Sequence, residues 1–229
     1  MSDTVKIVLE MALIALLSYL MGSFPTGYLI GKLNGIDIRK HGSHNIGATN
    51  VRRVLGRDWS IICFACDFLK GYLPVIFFGR QLGGNMLIGA GYGTLVAAFA
   101  SLCGHIFPVW LHFKGGKGVA TSLGIVTGLA FIPVLVGGIV WLVVFRISRI
   151  VSLASMISVS CIAVVAFFMK LFGHSAISWQ GIILLAIIAA LVIIRHKDNI
   201  IRLRNGTESK FVKKKKDGEE AAPQPDIKQ

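Results

Sequence analysis

The segment that decides the fold is I177-S-W-Q-G-I-I-L-L-A-I-I-A-A-L-V-I-I194, which contains no charged residue over its 18 positions. A helix rises about 1.5 Å per residue, so roughly 17 to 25 apolar residues are enough to cross the hydrocarbon core of a bilayer. Other apolar runs precede this one, and 54% of the 229 residues are hydrophobic. The sequence therefore predicts an all-α, polytopic membrane protein.

About seven transmembrane helices are predicted from the apolar runs. They cover residues 5–32, 59–78, 86–103, 119–144 divided near 131–134 into two short spans, 153–171 and 177–194. The division is placed at Pro133 because the residue before a proline disfavours the helical conformation. The first run lacks the cleavage site of a signal peptide, so it is predicted to be a retained helix.

The distribution of positive charge predicts the orientation of these helices. With seven spans, 20 of the 24 Lys and Arg residues fall on one side of the membrane and three on the other, while Lys70 lies inside a span. Positively charged loops remain in the cytoplasm, so the N-terminus is predicted outside and the C-terminus inside. Topology and attraction to anionic lipid thus explain the net charge of +13, and nucleic acid is not expected as a partner.

The chain divides into a membrane domain, residues 1–208, and a basic cytoplasmic tail, residues 209–229. The tail is rich in Lys, then in Glu, Pro and Gln, a composition typical of disorder. Its run Lys213–Lys216 is expected to attract lipid. A soluble enzyme docking on the tail is a further hypothesis.

The first polar motif is H41-G-S-H-N-I-G-A-T-N-V-R-R53, in the first predicted cytoplasmic loop. Glycines let backbone amides turn toward an oxyanion, and a helix over residues 48–55 would add a favourable dipole. Arg53, one turn into that helix, could grip the same phosphate. The alternative is an ordinary turn capped by Thr49 or Asn50. The candidate ligands are Ser43, Asn45, Gly47, Thr49 and Arg53.

The second motif is K114-G-G-K-G118, directly before a predicted helix. It fails the Walker pattern, because Gly118 stands where a magnesium-binding Ser or Thr is required, so nucleotide hydrolysis is not expected. A glycine turn with an ammonium group at a helix N-terminus still suits phosphate, which makes Gly115, Gly116 and Lys117 candidates. The alternative is a pair of interfacial lysines that snorkel.

The third motif is R195-H-K-D-N-I-I-R-L-R-N-G-T-E208, at the cytoplasmic end of the last span. His196 and Asn199 fall within one turn of each other if the helix continues, whereas the arginines alone fit a stop-transfer cluster. Within the second span, Asp67 and Lys70 are three residues apart and share a helix face. They are expected either to form a structural ion pair with each other or to support the site.

The sequence lacks the motifs of several well-known enzyme classes. None of the six histidines has an Asp five residues later, as acyltransferases with a His-Asp pair and a thioester donor have. No cluster of Asp residues suits magnesium, and no G-x-S-x-G elbow occurs. No metal or other cofactor is therefore expected.

The segments 35–51, 104–121 and 195–208 closely resemble the three motifs of the bacterial acyl-phosphate:glycerol-3-phosphate acyltransferase family. The pieces D67-F-L-K-G71 and S152-L-A-S155 are similar too. This resemblance implies a seven-helix inner-membrane enzyme that makes lysophosphatidic acid for phospholipid biosynthesis. Its substrates would be acyl phosphate and glycerol 3-phosphate, and neither acyl-CoA nor acyl carrier protein would serve as direct donor.

The resemblance also assigns residues. Ser43, Thr49 and Arg53 match the first motif, Lys117 the second and Asn199 the third, and Ser155 is implied near the glycerol phosphate. His44 departs from the family, which usually has glycine there. Its side chain would narrow the loop or add a hydrogen bond.

In the resulting hypothesis, Ser43, Arg53 and Lys117 carry catalysis, and the base is a substrate phosphate. Arg53, Lys117 and loop amides hold phosphate and stabilise developing charge, and positioning supplies much of the remaining effect. An acylated Ser43 is an alternative. Two other functions remain open. The protein could be a transporter or channel for organic phosphates, or a non-catalytic membrane scaffold.

Overall fold

The computed structural model describes residues 1–175 and 177–211, which form helices and connecting loops without a β-strand. Short 3-10 turns cover Ile38–Lys40 and Val109–Leu111. The α-helices of the described residues are α1 (Asp3–Gly22), α2 (Thr26–Leu33), α3 (Ala48–Leu55), α4 (Arg57–Leu73), α5 (Gly89–Ile106), α6 (Val119–Leu129), α7 (Phe131–Ser148), α8 (Val151–Leu171), α9 (Trp179–Ile194) and α10 (Lys197–Arg204).

Five stretches of helix in this part of the chain are long and apolar enough to cross a membrane. They are Asp3–Leu33, Arg57–Leu82, Gly89–Leu111, Phe131–Ser148 and Val151–Leu171. A sixth forms if α9 and α10 count as one span with a bend of 57°. The prediction of an all-α protein with several apolar spans is confirmed. The count of seven is not, because α6 has only 11 residues, fewer than the roughly 17 that cross a bilayer.

The apolar stretch after the second motif breaks at Ala130, beside the predicted division. Ala130 has φ −152° and ψ 77°, which interrupts the helix between α6 and α7. Pro133 lies in the first turn of α7, where a backbone N–H has no helical partner to lose. The proline thus fits just after the break.

A buried ion pair supports the kink between α1 and α2. Lys70 Nζ lies 2.8 Å from Asp67 Oδ1, so the predicted pairing within α4 is confirmed. The same ammonium donates to the Phe24 carbonyl at 2.8 Å, which satisfies a backbone group freed where the first span breaks. On the other side, Asp67 faces His105 of α5, with Oδ1 and Nδ1 3.9 Å apart.

Small residues bring the helices into close contact. A Cβ on Gly22 of α1 would lie 2.1 Å from the Ser101 carbonyl oxygen of α5, and one on Gly71 of α4 would lie 2.2 Å from the Thr121 carbonyl oxygen of α6. Such contacts favour helix association in lipid, where the hydrophobic effect gives no drive. They hold α5 against α1 and α6 against α4, and the second motif connects α5 to α6.

Two features extend beyond the predicted boundaries. A π-helical segment, Pro74–Leu82, continues α4, and its Arg80 donates to the Gly128 carbonyl at 2.9 Å, near the C-terminal end of α6. The chain is also packed as far as Phe211, three residues past the predicted domain boundary, because the Phe211 N–H donates to the Arg149 carbonyl at 2.7 Å. The predicted lipid-binding run, Lys213–Lys216, lies outside the described residues.

Candidate active site

The first motif forms a loop that is shaped by Asn50. Its side chain is 1% exposed, and its Oδ1 accepts the Ser43 N–H at 2.8 Å. Its Nδ2 donates to the carbonyls of Ile38, His41 and Asn45, at 3.2, 3.0 and 2.8 Å. One buried amide therefore holds both sides of the loop.

The helix predicted over residues 48–55 is present as α3. Gly47, in an extended conformation, is the N-cap and makes no side-chain capping bond, so the alternative in which Thr49 or Asn50 caps the helix is wrong. Asn45 Oδ1 accepts the Gly47 N–H at 2.8 Å and forms an Asx turn before the helix. Thr49 and Arg53 are four residues apart and share one face of α3.

His44 adopts a left-handed conformation, with φ of +57°. Glycine enters this region without steric cost, whereas other residues are strained there, which gives a physical reason for the glycine usual at this position. Its Nδ1 hydrogen-bonds to the Arg39 carbonyl at 3.0 Å. Of the two predicted effects of this side chain, the added hydrogen bond is the one observed.

The second motif is folded against the end of α5. The N–H of Gly115 donates to the Ile106 carbonyl at 3.0 Å, and that of Gly116 donates to the His105 carbonyl at 3.2 Å. A Cβ on Gly116 would lie 2.2 Å from His105 Nε2, so only glycine fits there. Arg195 braces the other side by donating to the carbonyls of Gly115 and Gly116, at 3.2 and 3.4 Å. Both amides are engaged within the protein, and Lys117 is the side chain of this loop that reaches the third motif.

Lys117 joins the second motif to the third. Its ammonium donates to Asn199 Oδ1, and Asn199 Nδ2 donates to Glu208 Oε1 at 2.6 Å. Ser152 of α8 donates to the same oxygen at 2.7 Å. Arg202 Nε donates to Glu208 Oε2 at 2.6 Å. A nearly buried carboxylate thus organises residues from α8 and α10 around the lysine.

These surroundings shift the pKa values of the cluster. Burial, strengthened by the charge of Arg202, lowers the pKa of Lys117 to about 8. Burial opposes ionisation of Glu208, but hydrogen bonds from Ser152, Asn199 and Arg202 outweigh it and lower the pKa of this carboxyl. Much of Arg53 is exposed, yet nearby protein atoms desolvate its guanidinium and lower its pKa. The charge of Arg53 also acts on Lys117, which places the first motif beside the other two.

His196 is buried beside this cluster. Its Nδ1 donates to the Val192 carbonyl at 2.7 Å, which leaves Nε2 as a hydrogen-bond acceptor. Burial lowers the pKa of His196 to about 4, against a smaller opposing effect of the Val192 carbonyl. The imidazole is therefore neutral at physiological pH.

Ser155 lies one turn after Ser152 on the same face of α8. Its Oγ accepts a hydrogen bond from Trp141 Nε1 at 3.2 Å. Because the oxygen is held by the indole, the hydroxyl hydrogen is free to donate elsewhere.

The structure thus brings Arg53, Lys117, His196 and Asn199 into one region, with Ser155 one turn from Ser152 of the Glu208 network. Among the described residues, 1–175 and 177–211, neither Ser43 nor Thr49 hydrogen-bonds to Lys117. That loop packs instead against the 3-10 turn that precedes the second motif, since Ile46 and Val51 share a buried cluster with Leu111.

Sequence reasoning assigned no site role to several residues that build this region. They are Asn50, Trp141, Ser152, Arg195, Arg202 and Glu208. Glu208 offered one signal, because it is the acidic residue that closes an otherwise strongly basic motif.

Apolar spans surrounding a cationic, hydrogen-bonded cluster define the class as an integral membrane protein with a candidate anion site. Comparison with known proteins then narrows this class. Residues 12–206 match the glycerol-3-phosphate acyltransferase family. The glycerol-3-phosphate acyltransferase of Trichlorobacter lovleyi is 45% identical over 194 residues, 85% of this chain and 94% of that protein. That of Aquifex aeolicus is 38% identical over 200 residues, 86% of this chain and 97% of that protein.

Solved structures agree. The glycerol 3-phosphate form of PlsY, an integral membrane glycerol 3-phosphate acyltransferase, superposes with a TM-score of 0.78 at 36% identity over 88% of this chain and 96% of that chain. The lysophosphatidic acid form gives a TM-score of 0.75 at the same identity, over 88% and 95%. The chain belongs to the glycerol-3-phosphate acyltransferase family, and it is a membrane-bound acyltransferase. The resemblance found in the three motifs is thereby confirmed.

Proposed function

We propose that this protein transfers a fatty acyl group from acyl phosphate to the 1-hydroxyl of sn-glycerol 3-phosphate. The products are lysophosphatidic acid and inorganic phosphate, and neither acyl-CoA nor acyl carrier protein is a direct donor. The observation that carries this proposal is the convergence of Lys117, Asn199 and Arg53 from three separate motifs. Both substrates are phosphates, so two cationic groups beside hydrogen-bonding side chains suit them both.

The chemistry needs little from the protein beyond placement and charge. Acyl phosphate is already activated, because phosphate is a good leaving group, so no acyl-enzyme is required. Lys117 and Arg53 bind the phosphates and stabilise the negative charge that develops on the acyl oxygen and the leaving group. Holding both substrates together supplies much of the remaining rate enhancement. A substrate phosphate takes the proton of the attacking hydroxyl.

The glycerol end meets neutral groups. His196 presents Nε2 as an acceptor, which suits a hydroxyl of glycerol better than a phosphate. Its lowered pKa makes it a weak base, consistent with a positioning role. Ser155 has a free hydroxyl hydrogen for the glycerol phosphate. Asn199, engaged by Lys117 and Glu208, orients the ammonium group.

The first loop binds the remaining phosphate oxygens in this proposal. Ser43 and Thr49 donate their hydroxyl hydrogens, and the amide end of α3 adds a favourable dipole. Asn45, Gly47, Gly115 and Gly116 shape the two loops, since their polar groups are used within the protein. They act on substrate through loop geometry.

The proposed topology has seven membrane segments, with α6 as a short one, in the cytoplasmic membrane of a bacterium. The N-terminus lies outside and the active site faces the cytoplasm, as the 20 to 3 distribution of Lys and Arg predicts. The acyl chain reaches the site from the bilayer. The proposed partners are acyl phosphate, glycerol 3-phosphate, membrane lipid and a soluble enzyme that produces acyl phosphate.

The test uses the purified full chain in detergent, with palmitoyl phosphate and radiolabelled glycerol 3-phosphate. Lysophosphatidic acid and one equivalent of phosphate should form without acyl-CoA or added metal. Palmitoyl-CoA and palmitoyl acyl carrier protein in place of palmitoyl phosphate should give no product. Product from either thioester, but none from palmitoyl phosphate, would refute the proposed donor. A variant with Lys117→Ala that keeps normal turnover at saturating substrate would refute the role of that lysine.

A further inference from the structure

Residues 205–211, here called the strap, follow α10 and cross the end of the bundle beside the site. The strap is held at Glu208, which accepts hydrogen bonds from Ser152 and Asn199. Three residues later, the Phe211 N–H donates to the Arg149 carbonyl at 2.7 Å, in the connection between α7 and α8. Phe211 lies beyond residues 12–206, which match the family.

The Phe211 ring contacts two elements that carry parts of the site. The Arg52 guanidinium carbon lies 4.4 Å from the ring centroid, a cation–π contact with α3. The Phe145 ring of α7 packs edge-on, with centroids 5.7 Å apart. Phe145 stacks in turn on Trp141 at 4.9 Å. Trp141 donates to Ser155 Oγ at 3.2 Å.

A continuous set of contacts therefore runs from Arg52 to Ser155 by way of Phe211. Arg52 immediately precedes Arg53 in the last turn of α3, so the contact between Arg52 and Phe211 anchors the helical turn from which Arg53 also projects. At the other end, the stacked indole holds the Ser155 oxygen. Phe211 is where these two halves meet.

We infer that Phe211 is a positioning residue that sets the distance between Arg53 and Ser155 and so adjusts the site to the phosphate of glycerol 3-phosphate. Phe211 does not touch the substrate in this arrangement. It acts through Arg52 on one side and through Phe145 and Trp141 on the other. The inference rests on the proposed function, because it requires Arg53 and Ser155 to bind that phosphate.

The test compares Phe211→Ala with wild type in the full chain. KM and Kd for glycerol 3-phosphate should rise roughly three- to tenfold, the range expected from losing a cation–π contact and the alignment it maintains. The KM for palmitoyl phosphate should stay within about twofold. The kcat should fall by a smaller factor than the KM for glycerol 3-phosphate rises, because Arg53 also stabilises charge in the transition state. Phe211→Tyr, which keeps the ring, should restore wild-type values.

Arg52→Ala provides the second arm. If Arg52 and Phe211 act through each other, the double variant should be no worse than the more affected single variant. Phe172→Ala is the matched control. It removes an exposed ring that stacks on Phe168 at 6.3 Å near the C-terminal end of α8, at the opposite end of that helix from Ser152 and Ser155, and should leave all parameters unchanged.

Three outcomes would overturn the inference. The first is a Phe211→Ala variant whose kinetic parameters match those of Phe172→Ala. The second is a double variant in which the effects of Phe211→Ala and Arg52→Ala multiply. The third is a Phe211→Ala variant in which kcat, the affinities for both substrates and the melting temperature all fall together. Should Phe211→Ala fail to fold, Arg52→Ala and Phe211→Tyr still give the KM comparison. Calorimetric titration with glycerol 3-phosphate distinguishes a failure of the proposed function from a failure of the role proposed for Phe211. Absence of binding to wild type refutes the proposed function, whereas binding and turnover that Phe211→Ala leaves unchanged refute only the role of Phe211.

Discussion

Lys117 should give the binding of glycerol 3-phosphate an alkaline limit near pH 8. Burial and the neighbouring charge of Arg202 lower the pKa of this lysine to about 8 in the empty site. A bound phosphate dianion favours the ammonium form and raises that pKa again. Binding above pH 8 therefore requires Lys117 to take up a proton. The affinity for glycerol 3-phosphate is accordingly highest below pH 8 and decreases as the pH rises above it.

The size of the effect follows from the lysine titration. At pH 9 about nine in ten free molecules carry a neutral Lys117, and affinity should fall roughly tenfold for each pH unit above 8, or about 1.4 kcal/mol. On the acid side, affinity should fall below about pH 6, where the substrate phosphate loses its second charge. Maximal affinity is expected between these limits.

Calorimetric titration with glycerol 3-phosphate from pH 5.5 to 9.5 measures both limits. Lys117→Arg should abolish the alkaline limit, because a guanidinium stays protonated throughout this range. Lys114→Met, which removes an exposed lysine three residues earlier in the same loop, should retain it. A constant Kd from pH 7.5 to 9.5 in wild type, or an unchanged alkaline limit in Lys117→Arg, would refute the reasoning.

Three further predictions concern the loops around the site. Asn50→Ala removes the amide that holds the first loop and should cost about 1 to 3 kcal/mol of stability, measured by thermal unfolding in detergent, with a higher KM for glycerol 3-phosphate. His44→Gly should raise the melting temperature by relieving a left-handed conformation worth roughly 1 kcal/mol, and an unchanged or lower value would contradict this. Gly116→Ala should weaken glycerol 3-phosphate binding roughly tenfold, because the new Cβ meets the His105 ring; wild-type affinity would show that the loop yields without cost.

The membrane helices were predictable because lipid leaves few options for a backbone. Apolar composition alone predicted the runs that became α7, α8 and α9. The bounds of α6 were predicted approximately, from residue 119 to a division near residues 131–134. The helix ends at Leu129 because Ala130 adopts φ −152° and ψ 77°, a conformation that an apolar sequence does not reveal.

The motifs of the site were visible in the sequence, but not how they fit together. Lys117 and Asn199 are 82 positions apart, and the packing of α5 and α6 against α9 brings them into contact. Glu208 escaped assignment for the same reason, since its Ser152 partner is 56 positions away on α8.

The glycines of the second motif illustrate a different limit. Their presence predicted amides turned toward phosphate, yet the amides of Gly115 and Gly116 bind the carbonyls at the end of α5. The glycines show that the backbone of this loop packs closely against another group. It does not distinguish a ligand from a neighbouring helix.

The ion pair between Asp67 and Lys70 also bears on how the chain enters the membrane. A single Asp or Lys at the centre of a span costs about 2.5 to 3.5 kcal/mol during insertion by the translocon. Here the two charges lie within one turn of the same helix, so they can neutralise each other before any other helix has arrived. The partners from elsewhere, Phe24 and His105, are then acquired during assembly. Residues 59–78 of the second span can therefore be inserted as an electrically neutral segment. Their two charged side chains bond to other helices only after the bundle has assembled.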